Sequence, residues 1–345
     1  VRQAQGEPPT SQDAAWAKVV EAAKKEGRLV LYGSAQLAGA YGEAVSRAFK
    51  ERYGISVEIL VTAGRQTVER AKLEAALNKP IGDVVLTGTP SGTEISEEKL
   101  AAKVWTELPG LRDISIFRVD PRFDPEGEIL FFTFGLSAPF INTKLIGPGD
   151  EPRSYMDFLH PRYKKTIIIN PPYDLGAGAT FFSAMLATKA LDENYFRRFA
   201  AMEPRMWGGG SAEMYRMIAV GEYLAGTYAT EDGLGYLIVE GAPLKLLGMK
   251  EGNIARGNVL LVLKKAAHPN AARLFADWIF SQEGQTVYTR AGSITSLRKD
   301  VPDFLHPSVK VTPDPGKILV RSWDVMQQEI KIFESGVAEA IFGKK

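Results

Sequence analysis

The sequence predicts an α/β fold made of two units, and three observations lead to this prediction. The chain has 345 residues, which is enough for two domains of ordinary size. Apolar strand-like segments alternate with amphipathic helical segments over residues 14–86. Two long apolar segments, Ile129–Asn142 and Gly257–Lys264, are suited to carry the chain from one unit to the other.

The first unit begins with an amphipathic helix, Ala14–Glu26, which Gly27 ends. The elements that follow are strand Arg28–Tyr32, helix Ala40–Tyr53, strand Ser56–Thr62, helix Val68–Asn78 and strand Asp83–Leu86. This β-α-β order implies a parallel sheet, in which ligands bind beyond the carboxyl ends of the strands. The loops Gly33–Gln36, Ala63–Thr67 and Thr87–Ser91 are expected at that edge.

The second unit is also predicted to combine strands with helices. Its predicted elements are strand Thr166–Asn170, helices Thr180–Lys189, Glu193–Glu203 and Ala212–Val220, and strand Tyr223–Tyr228. Strand Gly257–Lys264 and helices Pro269–Phe280 and Glu283–Ala291 then return to the first unit. The predicted plan is one discontinuous unit, residues 1–136 and 259–345, and one inserted unit, residues 137–258, with crossings near Ser137 and Asn258.

Composition excludes several classes of function. The chain carries 42 basic and 41 acidic residues, so the basic excess typical of a nucleic-acid-binding protein is absent. It has no cysteine, which excludes disulfides, zinc–thiolate sites, iron–sulfur clusters and thiol catalysis. It also lacks the Gly-x-Ser-x-Gly, Gly-Lys-Ser/Thr phosphate-loop and His-Glu-x-x-His signatures of common enzymes.

Two features of the sequence bear on where the protein is located in the cell. No run reaches the roughly 18–20 apolar residues that span a bilayer. The polar segment Val1–Ser11 is typical of the start of an exported protein whose signal peptide has been removed. The alternative is a cytosolic protein that has been trimmed.

The predicted edges of the two sheets are rich in backbone N–H groups and hydroxyls, which suit an anion. The candidate ligand-binding residues of the first unit are Ser34, Ala35, Gly64, Arg65, Thr87, Gly88 and Thr89. Those of the second unit are Tyr173, Gly176, Ala177, Gly178, Ala179, Thr180, Ser211 and Tyr228. Arg65 adds a two-pronged donor for phosphate, phosphonate, sulfonate or carboxylate, and the tyrosines are suited to cover an organic part.

Each of these assignments has a structural alternative. Gly176–Ala179 also suits a tight loop that lets a helix pack closely on a sheet, and Arg65 is spaced to pair with Glu69 on a helix. The run of three glycines, Gly208–Gly210, is typical of a flexible connection. Arg290, Arg298 and Arg321 are expected to form ordinary surface or interdomain ion pairs, and Glu231-Asp232 to be helix-start or solvated charges.

Three groups of residues resemble the extracellular solute-binding proteins of ABC importers, in the branch that includes the ferric-iron-binding proteins. The most specific is His268-Pro269-Asn270-Ala271-Ala272, which continues through Phe275 and Trp278 to Ser281 and Glu283-Gly284-Gln285. Asn142-Thr143-Lys144, and Gly221-Glu222-Tyr223 followed by Thr227-Tyr228, are similar to two further stretches of that family. The resemblance implies a two-lobed periplasmic-binding-protein fold of type II with two crossover hinge strands, and a ligand held between the lobes.

The departures from that family concern iron. Iron-binding members carry two adjacent tyrosines, whereas Tyr228 is followed here by Ala229. The loop at Ser34 has no histidine, and Thr87-Gly88-Thr89 has no carboxylate. No resident metal or cofactor is therefore expected, and Tyr228 is the residue that would bind iron in the alternative case.

The sequence therefore supports a leading function and two alternatives. The leading hypothesis is a monomeric, periplasmic binding protein, without catalytic residues, that captures a small anionic solute and delivers it to an ABC permease in the inner membrane. The first alternative is ferric-iron transport. The second is a two-lobed cleft enzyme of the transferase or lyase type.

Overall fold

The computed structural model describes residues 11–33, 37–62, 64–174, 176–312 and 316–343. The chain divides into two compact units. Unit 1 contains the residues up to Phe134 together with Gly257–Phe304. Unit 2 contains Gly135–Arg256 and the residues from Leu305 onward.

Unit 1 is a five-stranded sheet flanked by helices. With elements numbered along the whole chain, its helices are α1 (Ser11–Glu26), α2 (Ala40–Tyr53), α3 (Gly64–Leu77), α4 (Thr89–Glu97), α9 (Pro269–Phe280) and α10 (Gln282–Gly292). Its strands are β1 (Arg28–Gly33), β2 (Ser56–Val61), β3 (Val84–Gly88), β4 (Leu130–Phe131) and β11 (Asn258–Val262). The strand order is β2-β1-β3-β11-β4.

The first three strands of unit 1 are parallel to one another, so their carboxyl ends lie at one edge of the sheet. We call this edge the unit 1 rim. Strand β11 runs antiparallel to β3 and begins at the same edge, because Asn258 pairs with Gly88.

Unit 2 is built around a seven-stranded sheet. Its helices are α5 (Ala177–Ala187), α6 (Glu193–Ala200), α7 (Ser211–Ala219), α8 (Glu231–Val239), α11 (Trp323–Glu334) and α12 (Val337–Phe342). Its strands are β5 (Gly135–Asn142), β6 (Ile167–Ile169), β7 (Arg205–Met206), β8 (Ala225–Thr230), β9 (Leu244–Leu246), β10 (Asn253–Arg256) and β12 (Ile318–Val320). The order is β12-β10-β5-β8-β6-β7, and β9 pairs with β5.

The strand directions of unit 2 bring five strand ends to one edge. Strands β6, β7 and β8 are parallel, β5 is antiparallel to β8, and β10 is antiparallel to β5. Strand β12 is parallel to β10. The carboxyl ends of β6, β7, β8, β10 and β12 therefore share an edge, which we call the unit 2 rim.

The predicted unit boundaries need correction at the C-terminal end. The sequence prediction placed residues 259–345 in the first unit, but the chain after Phe304 packs in unit 2. Strand β12 pairs there with β10, Leu319 belongs to the buried core, and Phe342 contacts Phe182 and Phe196. The other two crossings lie at Gly135 and Gly257, within two residues of the predicted positions Ser137 and Asn258.

Several predicted loops are parts of helices and strands. Helix α3 begins at Gly64, inside the predicted loop Ala63–Thr67. Strand β3 runs through Gly88 and α4 begins at Thr89, so the predicted loop Thr87–Ser91 is a direct strand-to-helix junction. Pro90 lies in the first turn of α4, where its missing N–H and fixed φ are tolerated.

The core of unit 2 is dominated by aromatic side chains. Residues Tyr155, Phe182, Tyr195, Phe196 and Phe199 are each about 1% exposed and lie in one cluster with strands β6 and β8 and helix α5. Among the described residues, no helix is both long enough and apolar enough to cross a membrane.

Candidate functional site

The unit 1 rim brings two helix starts together. Gly64 begins α3, and a Cβ built on it would lie 2.5 Å from Ser91 Oγ on α4 and 3.8 Å from Thr87 Oγ1 on β3. Beside them, the hydroxyls of Thr62 and Thr67 are 2.5 Å apart. Within unit 1, the sequence-predicted Gly64 and Thr87 are therefore neighbours.

Gly88 and Thr89 form the start of α4. Gly88 is its N-cap residue and makes no side-chain cap, and the Thr89 hydroxyl donates to the Gly257 carbonyl oxygen at 3.3 Å. The Thr89 hydroxyl is thereby committed to the start of β11, whereas the first backbone N–H groups of α4 receive no side-chain cap from Gly88.

Arg65 is exposed in the first turn of α3. The alternative pairing with Glu69 does not occur, and Arg65 makes no ion pair within the described part of the chain. Its guanidinium is available at the unit 1 rim. Ser34 and Ala35, the remaining candidates of this unit, lie outside the described residues.

Helix α5 begins at the unit 2 rim with the predicted glycine-rich segment. Its N-cap residue Gly176 has φ 147°, a conformation that requires glycine, and offers no side-chain cap. A Cβ on Gly178 would lie 2.2 Å from the Asn170 carbonyl oxygen and 2.6 Å from that of Pro171. Gly178 thus lets the helix touch the end of β6, which is the structural alternative for this residue.

The other predicted ligand-binding residues of α5 differ in how far they are buried. Ala177 and Thr180 are half-buried, and Ala179 is buried. The Thr180 amide donates to the Gly176 carbonyl oxygen at 2.9 Å, so it belongs to the first turn of the helix. The start of α5 therefore offers backbone N–H groups rather than side chains.

Two candidate ligand-binding residues, Tyr173 and Ser211, contact other parts of unit 2. Tyr173 lines a groove of about 670 Å³ together with Met206, Tyr223 and Phe342. Ser211, at the start of α7, is hydrogen-bonded to Tyr215, whose pKa burial raises to about 12. The preceding Gly208–Gly210 segment is held by Trp207, whose Nε1 donates to the Gly210 carbonyl oxygen at 3.3 Å.

Tyr228 lies near the carboxyl end of β8 and is half-buried. Its ring is 6.3 Å from that of Phe181 on α5. It packs against the buried cluster that contains Ile254 of β10 and Leu319 of β12, the two strands that lead to Arg256 and Arg321.

Arg256 is the last residue of β10, and it is held by Asp232 at the start of α8 through a short Nη2–Oδ1 contact. Burial works against the charged form, but Asp232 raises the pKa of Arg256 above its usual value, with smaller contributions from Tyr228 and Glu231. Burial likewise opposes ionisation of Asp232, and Arg256 and the Thr230 hydroxyl together hold the pKa of Asp232 below its usual range.

Arg321 follows β12 and is held by Glu329 on α11. Its Nε lies 2.8 Å and 3.1 Å from the two carboxylate oxygens, and Nη2 makes a third contact. The two side chains are only 16% and 7% exposed. The expectation of an ordinary ion pair for Arg321 is wrong in this respect, because the pair is largely buried at the unit 2 rim.

Glu231 and Asp232 have specific contacts as well as their position in the first turn of α8. Glu231 is 8% exposed, and its Oε2 accepts the Leu136 amide at 2.9 Å. Arg256 was not predicted as a site residue, and a single arginine at the end of a four-residue strand gives no sequence signal for this role.

The segment that carried the family resemblance is structural. The buried Asp83 carboxylate accepts the His268 amide and lies 2.8 Å from His268 Nδ1. Glu26 accepts the amides of Asn270 and Ala271 at the start of α9. The motif therefore joins α9 to the sheet of unit 1.

The remaining two histidines each cap a short turn, since His160 Nδ1 accepts the Arg162 amide and His306 Nδ1 accepts the Ser308 amide. Within the described ranges, no group of three or more His, Asp or Glu side chains is arranged to hold a metal ion.

Residues 92–328 match the family described as bacterial extracellular solute-binding protein. The match covers more than half of the chain. The chain belongs to this family. Solute-binding proteins of this family work outside the cytoplasm as the binding components of ABC transport systems, together with a membrane permease.

Three individual proteins illustrate the likeness. An uncharacterized protein of Haemophilus influenzae is 24% identical over 348 aligned positions, covering 96% of each chain. Iron-bound HitA from Pseudomonas aeruginosa is 20% identical, with a TM-score of 0.65, covering 88% of this chain and 99% of its own. AfuA from Actinobacillus pleuropneumoniae, with fructose-6-phosphate bound, is 21% identical, with a TM-score of 0.61, covering 91% and 97%.

The two solved structures establish the fold, and the predicted α/β, periplasmic-binding-protein fold class is confirmed. The resemblance to extracellular solute-binding proteins is confirmed by the family match. The family and these neighbours are transport binding proteins rather than enzymes.

Proposed function

We propose that this protein captures a small solute bearing an oxyanion and delivers it to its ABC permease. One observation carries the proposal: Arg256 at the end of β10 and Arg321 just after β12 lie at the unit 2 rim, the edge toward which β8 carries Tyr228. A guanidinium group donates hydrogen bonds and accepts none, so it suits an anion rather than a bare cation. Phosphate, phosphonate, sulfonate and carboxylate groups all belong to this class.

The helix starts at the unit 2 rim support the same proposal. Helices α5 and α7 begin after glycine N-cap residues, and no side chain caps either one within the described residues. By contrast, Thr230 caps α8 and Ser322 caps α11. Uncapped N–H groups at a helix start, with the positive end of the helix dipole, are suited to an anion.

Unit 1 contributes donors of a different kind to the proposal. Arg65 is exposed and has no ion pair among the described residues, and the hydroxyls of Thr62 and Thr67, 2.5 Å apart, lie at the same rim. We include Gly64, Arg65, Thr87 and Gly88 as ligand-binding residues of this unit.

Ferric iron is the second candidate ligand, and the likeness to iron-bound HitA together with Tyr228 favours it. An iron-binding protein should show a visible tyrosinate-to-iron absorption band after ferric loading with citrate or phosphate. Tyr228→Phe should abolish that band. A colourless protein after loading would count against iron.

The proposal is tested by native mass spectrometry of the purified protein, with metal analysis of the same sample. We expect a retained organic or inorganic anion without stoichiometric metal. One equivalent of iron would overturn the ligand assignment and leave the transport function standing.

A further inference from the structure

Two arginines lie side by side at the unit 2 rim. Strands β10 and β12 are parallel, with Ile254 paired to Leu319 and Ala255 paired to Val320. Extending this register by one position, just beyond the end of β12, sets Arg256 opposite Arg321. Neighbouring strands are about 4.8 Å apart, so the two side chains start from adjacent points.

The alternation of side chains along β10 and β12 assigns both arginines to one face of the sheet. Ile254 and Leu319 belong to one buried cluster, and Tyr228 packs against that cluster. Side chains alternate along a strand, so the residues two positions further on, Arg256 and Arg321, follow the same face.

Each guanidinium is held on one side and keeps N–H donors on the other. Arg256 uses Nη2 for Asp232, and Arg321 uses Nε and Nη2 for Glu329. Within the described part of the chain, no hydrogen bond engages Nη1 of either arginine or Nε of Arg256. An arginine carries five N–H donors, so each retains at least two for a ligand.

The geometry of two adjacent guanidinium groups selects among oxyanions. The two coplanar oxygens of a carboxylate match the fork of one guanidinium. A tetrahedral group has further oxygens out of that plane and can accept from two guanidinium groups at once. Asp232 and Glu329 already balance the two positive charges, so the group does not need to be a dianion.

We propose that Arg256 and Arg321 together bind one tetrahedral oxyanion group of the ligand, a phosphoryl or sulfonyl group, with Asp232 and Glu329 as positioning residues. This inference rests on the proposed function and narrows it. It also assigns contact residues in unit 2 that the sequence did not indicate.

The test measures binding to the full chain by calorimetry and by the shift in melting temperature. The probes are fructose 6-phosphate, methylphosphonate, methanesulfonate and acetate, each titrated to 50 mM. Methylphosphonate and methanesulfonate separate the phosphoryl from the sulfonyl case. Arg256→Lys and Arg321→Lys keep the positive charge and remove the fork, and Arg197→Lys is the control, because Arg197 is an exposed arginine of unit 2 paired with Glu193.

We expect at least one tetrahedral probe to bind more tightly than acetate. Each arginine-to-lysine change should weaken that binding at least tenfold, and the control should not change it. Because loss of Arg321 could unfold the protein, the double variant Arg321→Gln with Glu329→Gln replaces the ion pair by a neutral amide pair. It should keep its circular dichroism spectrum and still lose the tetrahedral probe.

Three results would overturn the inference, and they separate it from the proposed function. Unchanged binding in both lysine variants, or binding of acetate alone, would remove the two-arginine site and leave an oxyanion receptor standing. Binding of ferric citrate with no response to any of the four probes would overturn the proposed function together with this inference.

Discussion

The two rims carry different chemistry. At the unit 1 rim the donors are hydroxyls, backbone N–H groups and one exposed arginine without an ion pair among the described residues. At the unit 2 rim Arg256 is half-buried and Arg321 is largely buried, and each is fixed by a carboxylate. Groups that are already oriented lose little freedom on binding, so under the proposed function Arg256 and Arg321 should cost less to order than Arg65.

The largest expected effect concerns the glycine that brings α5 against β6. Gly178→Ala should lower the free energy of unfolding by about 4 kcal/mol, because the new Cβ would meet a backbone carbonyl oxygen at 2.2 Å, and the backbone cannot rotate away. Urea denaturation followed by circular dichroism measures the change.

Two glycines serve as controls for this prediction. Gly210→Ala changes a residue of the same unit that has open space around it, and it should be nearly neutral. Gly64→Ala meets the Ser91 hydroxyl, which is able to rotate, and should cost about 1 kcal/mol. Equal losses for Gly64 and Gly178 would contradict the view that unit 2 is the more rigid of the two rims.

The next largest effect concerns the buried ion pair between Arg321 and Glu329. Arg321→Gln should destabilise the protein by about 3 kcal/mol, because it leaves the Glu329 carboxylate, 7% exposed, without its cation. Adding Glu329→Gln should restore most of the loss. Chemical denaturation of the single and double variants measures this coupling, and a double variant no more stable than the single one would argue against it.

A pH-dependent effect belongs to unit 1. Burial raises the pKa of Asp277 from 3.8 to about 6, although the Gly110 amide and Arg112 act in the opposite direction. Between these values the folded state binds more protons than the unfolded state, so stability falls as the pH rises from about 4 to 6. Asp277→Asn should therefore be more stable than the unaltered protein by about 2 kcal/mol at pH 7.

Melting curves of both proteins between pH 3.5 and pH 7 test this sign. The difference between them should vanish near pH 3.5, where the carboxyl group is protonated in both the folded and the unfolded state. A constant difference across the whole range would mean that Asp277 does not titrate in this window.

The smallest effect on stability is expected at Arg65. Arg65→Ala removes an exposed side chain without an ion pair in the described chain, so stability should change by less than about 0.5 kcal/mol. If Arg65 binds the anion, the affinity should still fall at least tenfold in calorimetry. Arg47→Ala, an exposed arginine in the middle of α2, is the matched control, and an unchanged affinity for Arg65→Ala would remove Arg65 from the site.

The parts of the fold that could be predicted from sequence are those with a strong local pattern. The alternation over residues 28–86 predicts β1, α2, β2 and β3 within a few residues. The return of the chain to unit 2 after Phe304 has no such signal, because β12 is only three residues long and its partner β10 lies more than sixty positions earlier. Pairing over that separation depends on tertiary packing rather than local preference.

The candidate site residues that could be predicted are likewise those with a local sequence signal. Tyr228 and the start of α5 were predicted because they follow strands, and the structure places both at the unit 2 rim. Arg256 and Arg321 were not predicted as site residues, because their roles depend on the register of β10 with β12 and on carboxylates from other elements. An isolated arginine carries no such information in the sequence.

The late return of the chain also has a consequence for biogenesis. When synthesis has reached Phe304, every described residue of unit 1 exists, but unit 2 still lacks β12 and α11. Arg321 and Glu329 emerge from the ribosome after every described residue of unit 1. A nascent chain interrupted at that stage has no Arg321–Glu329 pair, so the proposed arginine site can form only after synthesis has passed Glu329.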